Sequence, residues 1–298
     1  MKKRRLNIYG EIQVILSGIL FGMMPILAKD IYKHGGNAYV LVFLRFLFGG
    51  IFLFFLLNLQ KKETLRVSGK ELGALFILSV PFVFVPLLLF SSYQYISSGL
   101  ATTLHFCYPV LVILLETLVF KIHLTGKTCI CCVLCVIGII LLYEPDGKAS
   151  LFGIAIALLS GVFYAVYILC LTRSRIIEMN ALKTSAYLSG ITAVEIAIIS
   201  LILGKLVFVL DARGWGMSIL LAMGITSFAL VAFQRGAGIC GAQKATLLST
   251  SEPLTSIALG AVILNEELSL RTGIGICCIL LSILLLVFKE SKKEMQND

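Results

Sequence analysis

Four charged side chains lie inside long apolar stretches of the sequence: Arg45, Glu116, Glu195 and Glu252. A charge at the centre of a bilayer costs roughly 2.5 to 3.5 kcal/mol on insertion scales, so each charged side chain needs an ion-pair partner, contact with water or a functional role. For Glu252 we expect a carboxylate that meets a cationic group of a ligand or carries a proton; an ion pair to Arg45 or Lys244 is the alternative. Arg45 and Glu195 are expected to form ion pairs within the helix bundle.

Helical periodicity gathers further polar side chains on the same faces. In the apolar stretch 99–120, His105 and Glu116 lie on one helical stripe, and Tyr108 flanks it. In the stretch 244–264, Ser249, Glu252 and Ser256 recur at spacings of three and four. A shift of 144 positions superposes the two stretches, and two related polar faces are easiest to explain if they line one watery cavity. The candidate substrate-binding residues are therefore Glu252, His105, Tyr108, Glu116, Ser249 and Ser256.

The same shift matches Pro109 to Pro253, each near the middle of its apolar stretch. Proline removes a backbone donor and bends a helix, so we expect a bend in both places, with freed carbonyl oxygens facing the cavity. A second correspondence, offset by 143, pairs Gly18 with Gly161. Both glycines belong to stripes of small residues that let helices approach closely in lipid. The sequence is therefore duplicated.

The composition, 59% hydrophobic and 14% charged, is that of a membrane protein rather than a soluble domain. The apolar runs are continuous and near the roughly 20 residues that cross a bilayer as a helix, which favours helices over a lipid-facing barrel. We predict ten spans at roughly 11–29, 37–59, 72–93, 99–120, 128–143, 150–171, 181–203, 214–233, 244–264 and 271–288. The net charge of +9 comes from cations in short loops and at the two ends, so no nucleic-acid partner is expected.

Ten spans divide into two copies of five, at residues 1–146 and 147–298. Most Lys and Arg residues of the connections fall on the side of the N-terminus, which predicts that both termini are cytoplasmic. An odd number of spans per copy makes the second copy enter from the opposite side. The predicted fold is an all-α membrane protein in which two inverted five-helix repeats surround a central cavity, an arrangement that secondary transporters use.

No metal, cofactor or nucleotide site is expected. The nine cysteines lack a nearby histidine or second pair that would complete a zinc site, and we interpret them as small apolar residues. No phosphate-binding Gly-x-x-x-x-Gly-Lys-Ser/Thr loop occurs in the sequence. Transport driven by ATP hydrolysis within this chain is therefore not expected.

Two inverted sets of five spans, with Pro253 followed by Asn265-Glu266 and later by Gly273, resemble the EamA-type branch of the drug/metabolite transporter superfamily. Arg45 in the second span also resembles an arginine of that family. The resemblance implies a basket-like bundle with a central cavity lined by spans one to four and six to nine. One departure stands out: the family places an acid-containing pair after both prolines, whereas the first copy has Ile122-His123.

The expected function is therefore a multi-pass carrier of the inner membrane that moves a small polar metabolite by alternating access. Export of an amino acid or amine-bearing metabolite is the leading hypothesis, with a proton or cation as a possible coupling partner, and uptake of a choline-like cation is the alternative. A membrane enzyme acting on lipid, or a scaffold, are alternatives of another class. Besides membrane lipid and the small-molecule substrate, a second copy of the chain is a possible partner.

Overall fold

The apolar stretches form helices, and polar side chains cap several of them. A computed structural model describes residues 2–59, 65–121, 126–142 and 150–294. Asn37 caps one helix by accepting from Val40 N at 2.9 Å, and Asn180 caps another by accepting from Leu182 N at 2.9 Å. Asn37 and Asn180 are 143 positions apart, so this sequence match has a physical cause: the same helix start is made twice.

Fourteen α-helices are described, and no strand occurs in the described ranges. They are α1 Lys2–Gly22, α2 Met24–Lys33, α3 Ala38–Leu59, α4 Gly69–Ser92, α5 Ser98–His105, α6 Tyr108–Phe120, α7 Gly126–Leu142, α8 Leu151–Arg173, α9 Ala181–Ile202, α10 Ala212–Ile219, α11 Ser227–Cys240, α12 Ala242–Leu248, α13 Ser251–Ile263 and α14 Leu270–Glu294. A 3₁₀ turn at Arg175–Glu178 follows α8, and a π-helical segment at Leu220–Thr226 joins α10 to α11.

Within the described part of the chain, seven helical segments are long and apolar enough to cross a membrane. They are Ile8–Lys33, Ala38–Leu59, Gly69–Ser92, Ser98–Phe120, Leu151–Arg173, Ala181–Ile202 and Ala212–Cys240. Three shorter apolar helices, Thr128–Leu142, Ser251–Ile263 and Leu270–Leu285, fall within the fifth, ninth and tenth predicted spans. The helical fold and the positions of the apolar segments agree with the sequence prediction.

Several of the apolar segments are interrupted, two of them next to the prolines where the sequence predicted a bend. The break in the first segment was not predicted: it lies at Met23, after which α2 continues from Met24 to Lys33 with Pro25 in its first turn. The fourth is broken at Phe106–Cys107 and the ninth at 249–250, in each case just before the proline singled out by the sequence. A proline fits the first turn of a helix because no donor is required there, so each proline starts a new half-helix.

When each helix is replaced by its counterpart under the 143- or 144-position shift, several packed helix pairs become other packed helix pairs. Helix α1 packs against α11 and α13, and its counterpart α8 packs against α4, α5 and α6. Helix α3 packs against its counterpart α9, and α7 packs against its counterpart α14. In addition, α5 packs against α13. An apolar core among the described residues extends from α2 to α14 and includes Ile31, Leu41 and Phe90, each at most 1% exposed. Arg45 and Glu252 lie inside this bundle, whereas Glu116 lies at one end of it.

Candidate binding site in the bundle interior

Arg45, near the middle of α3, has aromatic neighbours instead of charged ones. Its guanidinium carbon lies 5.7 Å from the ring centre of Phe46 and 5.4 Å from that of Phe90, distances at which a ring attracts a cation. Its Nε is shielded from solvent and lacks a hydrogen-bond partner, and within the described ranges no carboxylate lies within 4.0 Å. The side chain therefore has donors that the protein leaves unused.

Glu252 is the second residue of α13, directly after the helix break. Its N–H donates to the Ser249 carbonyl oxygen at 2.9 Å, but its carboxylate has no hydrogen bond or ion pair with any residue that the structure describes. The side chain is partly exposed although protein surrounds it, and it interacts electrostatically with Arg45. Arg45 and Glu252 are thus opposite charges that interact inside the bundle without direct contact.

Four aromatic side chains, His105, Tyr108, Tyr164 and Tyr167, form a continuous surface that we call the aromatic wall. The ring centres of Tyr108 and Tyr164 are 4.6 Å apart in an edge-to-face arrangement, and His105 lies 5.4 Å from Tyr164. Tyr164 stacks on Tyr167 at 5.8 Å. Glu252 lies within electrostatic range of Tyr108 and Tyr164. The aromatic wall and the Glu252 carboxylate are thus neighbours in the bundle interior.

A short hydrogen-bond chain fixes the His105 ring. Its Nδ1 lies 3.0 Å from Ser160 Oγ, and Ser160 Oγ lies 2.6 Å from the Ala157 carbonyl oxygen. A hydroxyl has one hydrogen to donate, and the carbonyl can only accept it. Ser160 therefore accepts from Nδ1–H, so in a neutral His105 ring the basic nitrogen is Nε2.

Glycines of α1 and α8 bring these helices against the two helix breaks. A Cβ on Gly22 would lie 2.7 Å from the Glu252 carbonyl oxygen, and one on Gly18 would lie 3.1 Å from the Glu252 N. In the counterpart helix, a Cβ on Gly161 would lie 3.0 Å from the His105 carbonyl oxygen. The small-residue stripes thus position the backbone of the two residues, Glu252 and His105, that the sequence predicted to bind.

Two stretches that together make up most of the chain each match the same family model. The model of the EamA-like transporter family matches residues 8–144 and again residues 151–288. The chain belongs to the EamA-like transporter family. It is thus a multi-pass membrane protein of a transporter family, as its helices indicate.

Relatives from several microorganisms match the chain over most of its length. An uncharacterized transporter of Archaeoglobus fulgidus is 27% identical over 93% of this chain and 96% of its own. An uncharacterized transporter of Clostridium kluyveri is 23% identical over 97% of this chain and 95% of its own. A solved crystal structure that is 14% identical has the same fold, with a TM-score of 0.64 over 93% of this chain and 94% of the other.

The acid of the family's second-copy pair, Glu266, joins three segments at one end of the bundle. Its carboxylate lies 2.5 Å from Lys29 Nζ and accepts from Ser98 N at 3.0 Å and from Ser98 Oγ at 2.8 Å. It follows Asn265, whose backbone is left-handed with φ 53°. The carboxylate therefore caps the start of α5 from outside its own segment. The pair at Ile122-His123 lies outside the described residues.

Two predicted binding residues lie elsewhere. Glu116 Oε1 lies 3.8 Å from Arg173 at the end of α8, so it is paired and does not join the aromatic wall. Ser256 is 1% exposed, and its Oγ lies 3.2 Å from Thr102 Oγ1, so it links α13 to α5 instead of facing open space. Ser249 lies in the break itself, where its carbonyl accepts from Glu252 N.

The expected ion pairs of Arg45 and Glu195 do not form within the described ranges. Glu195 instead lies 2.5 Å from Ser79 Oγ of α4. Lys244, the other proposed partner of Glu252, pairs with Glu11 at 2.5 Å. Both residues expected to balance Glu252 therefore leave its carboxylate without a contact partner.

The sequence analysis did not include Tyr164 and Tyr167 among the candidate binding residues, and it did not identify Lys29 as a partner of Glu266. The two tyrosines are three positions apart on α8, beside the small-residue stripe of Gly161, and this spacing was the available signal. The Lys29–Glu266 contact spans 237 positions, and no local pattern indicates it.

Proposed function

We propose that this chain is a secondary-active carrier whose central site binds an amino acid or a related amine-bearing metabolite. The observation that carries the proposal is the pair Arg45 and Glu252, which interact electrostatically inside the bundle although neither has an ion-pair partner among the described residues. Unpaired charges are unfavourable inside a membrane bundle and mark substrate pathways. A ligand with both a carboxylate and an ammonium group can pair with both residues at once.

The aromatic wall adds selectivity for the rest of the ligand. Tyrosine rings attract cations through their faces and also pack against apolar or aromatic side chains. Arg45 disfavours a ligand that is purely cationic, because the guanidinium repels it. Amino acids thus fit the site better than choline-like cations, which the wall and Glu252 alone would favour.

Alternating access is the mechanism that we propose, with repeats at 1–146 and 147–298 in inverted orientation. Lys121 and Asn265, 144 positions apart, have φ 55° and φ 53°, and both end the half-helix that follows a proline. The exchange of helix pairs described above adds support. Two related halves around one site can open alternately to either side of the membrane.

Two ion pairs at opposite ends of the bundle are candidates for the gates. Glu116 corresponds to Gly260 in the second copy, and a Cβ on Gly260 would lie 3.3 Å from Glu266 Cδ. The first copy lacks the acid after its proline, but Glu116 supplies a carboxylate at the equivalent place and pairs with Arg173. The Lys29 contact is 2.5 Å and the Arg173 contact is 3.8 Å, so we propose that the Lys29 end is the closed one.

Orientation and location follow from the charge distribution. We propose that the N- and C-termini are cytoplasmic and that the protein resides in the inner membrane, because Lys and Arg concentrate in the connections on the N-terminal side. On this orientation, the Lys29–Glu266 gate faces outward and the Arg173–Glu116 gate faces the cytoplasm. The direction of transport we propose is export.

The test is a thermal-shift screen of purified protein against amino acids, amines, quaternary ammonium compounds, sugars and nucleotides, followed by counterflow in proteoliposomes. A ligand that binds the folded state raises the melting temperature by mass action. We expect amino acids to give the largest shifts and labelled amino acid to accumulate in counterflow. Stabilisation by choline alone would favour the alternative cargo, and stabilisation by sugars or nucleotides alone would refute the proposed site.

A further inference from the structure

A second carboxyl group lies in the bundle, away from the Arg45–Glu252 site. Glu195 is the fifteenth residue of the 22-residue helix α9, so it lies roughly 21 Å along the helix axis from its start. Its neighbours Val194 and Ile198 are 60% and 52% exposed on the outer surface, which faces lipid. Glu195 itself is partly exposed and lies at the seam between α9 and α4.

The contacts of Glu195 indicate that it is a neutral acid. Its Oε1 lies 2.5 Å from Ser79 Oγ, and the same hydroxyl lies 2.8 Å from the Phe76 carbonyl oxygen. The Ser79 hydroxyl is within donating distance of both oxygens, but its single hydrogen cannot be donated to both, and a carbonyl oxygen cannot donate in return. The contact with Glu195 is then best satisfied if the carboxyl group donates its own proton to Ser79 Oγ.

The other oxygen leads to the same conclusion. Glu195 Oε2 is shielded from solvent and has no hydrogen-bond partner in the described part of the chain. An ionised carboxylate in that position would be buried without compensation, which costs far more than a neutral carbonyl oxygen does. Nor does a cation compensate it, since no Lys, Arg or His lies within 4.0 Å in the described ranges.

The charged and titratable groups of the neighbouring helices do not alter the neutral state inferred for Glu195. Helices α3 and α4 pack against α9. Besides Glu195, the titratable groups of these helices are Tyr39 and Arg45 on α3, Lys70 and Glu71 in the first turn of α4, and Lys183 and Tyr187 near the start of α9. The group that contacts Glu195 is the Ser79 hydroxyl. The carboxyl group is thus electrostatically isolated from the other charges.

We propose that Glu195 and Ser79 form a proton-binding site that exchanges its proton with water. Helix α4 connects this site to the aromatic wall: Phe82 lies one turn beyond Ser79, and its ring centre is 4.9 Å from that of Tyr167. Pro81, between the two, lacks a backbone donor and weakens the helix there. If the proposed transport holds, on which this role rests, proton release at Glu195 can shift α4 and so the wall.

Carbodiimide modification tests the site without any substrate. A protonated carboxyl group adds across one N=C bond of dicyclohexylcarbodiimide to give an O-acylisourea, which rearranges to a stable N-acylurea; the whole reagent is retained and nothing leaves. The reagent is apolar and can reach Glu195 from the lipid side. Purified protein in liposomes is treated at pH 6 and at pH 9, and modified peptides are identified by mass spectrometry.

We expect the Glu195 peptide to gain the mass of the reagent at pH 6 and to gain less at pH 9, and we expect Glu195→Gln to abolish this label. Ser79→Ala retains the label, because the acid stays neutral without its acceptor. Ion-paired Glu116 is the matched acid that stays unlabelled. The melting temperature of Glu195→Gln equals that of the wild type, because the amide still donates to Ser79.

Three results would overturn the assignment. Absence of label at both pH values would mean that the carboxyl group is ionised. Equal labelling at both values would mean that its proton does not exchange with water. A large loss of melting temperature in Glu195→Gln would mean that the charge is structural. None of these depends on the cargo, so failure of the central-site proposal in the ligand screen is a separate outcome.

Discussion

Glu252→Gln removes the negative charge of the central site while keeping the size of the side chain. Because no described side chain contacts this carboxylate, the substitution breaks no protein hydrogen bond or ion pair, and we expect the melting temperature of the ligand-free protein to stay the same or rise. A ligand ammonium group, however, loses its charged partner. A hydrogen bond to a charged group contributes about 1.5 to 3 kcal/mol. At 1.4 kcal/mol per factor of ten, Kd weakens by roughly 10- to 150-fold.

Three related ligands separate the roles of the two charges. Phenylalanine carries both groups, phenethylamine lacks the carboxylate, and phenylpropionate lacks the ammonium. We expect Glu252→Gln to weaken binding of the first two but not of phenylpropionate, and Arg45→Gln to weaken binding of phenylalanine and phenylpropionate but not of phenethylamine. Isothermal titration of the purified variants measures each Kd.

Glu178→Gln is the matched control, since Glu178 is exposed in the 3₁₀ turn after α8 and we expect all three affinities to stay unchanged. The reasoning is refuted if Glu252→Gln weakens all three ligands equally, because a general effect means a distorted site. It is also refuted if neither central variant changes any affinity.

Three further predictions concern the scaffold. Gly22→Ala forces a Cβ to 2.6 Å from Thr255 Cβ and should destabilise by roughly 1 to 3 kcal/mol; Gly216→Ala, where nothing lies within 4 Å, is the control, and equal melting temperatures would contradict the packing. Lys29→Gln should lower the melting temperature more than Arg173→Gln does, because it removes the closer of the two contacts, and equal losses would refute the unequal gates. In the connection before α10, hydrogen bonds from Gly214 N and His34 lower the pKa of Asp211. The contribution of Asp211 to stability is therefore present above the usual Asp pKa of 3.8 and is lost as the pH falls through the lowered value. Asp211→Asn should show a smaller drop in melting temperature on acidification than the wild type, and an equal drop would argue against this contribution.

Local sequence was sufficient for the positions of the apolar helices and for the two breaks next to Pro109 and Pro253. Apolar runs of membrane length predict helices because backbone groups in lipid must bond within their own segment. Pro109 and Pro253 predicted where two helices are interrupted, since proline cannot donate inside a helix. The match between Asn37 and Asn180 reflects caps that act within three residues, so such features are readable from the chain alone.

Contacts between distant segments were not readable. Periodicity placed Ser256 on a polar face, yet only packing decides that this face meets Thr102 of α5 and not open space. Glu116 was grouped with Glu252 because of its stripe, but its partner Arg173 comes from another helix. A helical face is a local property, whereas the partner of that face depends on the angles at which all helices cross.

The sequence by itself determined the class of the protein, the positions of its apolar helices and the identity of its intramembrane charges, because composition and local hydrogen bonding control all three. Only the tertiary structure decided which charges stay unpaired. Arg45 and Glu252 come from helices whose sequences are more than 200 positions apart, and the charges that the sequence offered as partners pair elsewhere or lie out of reach. Charge complementarity acts through distance in space, which no spacing along the chain specifies.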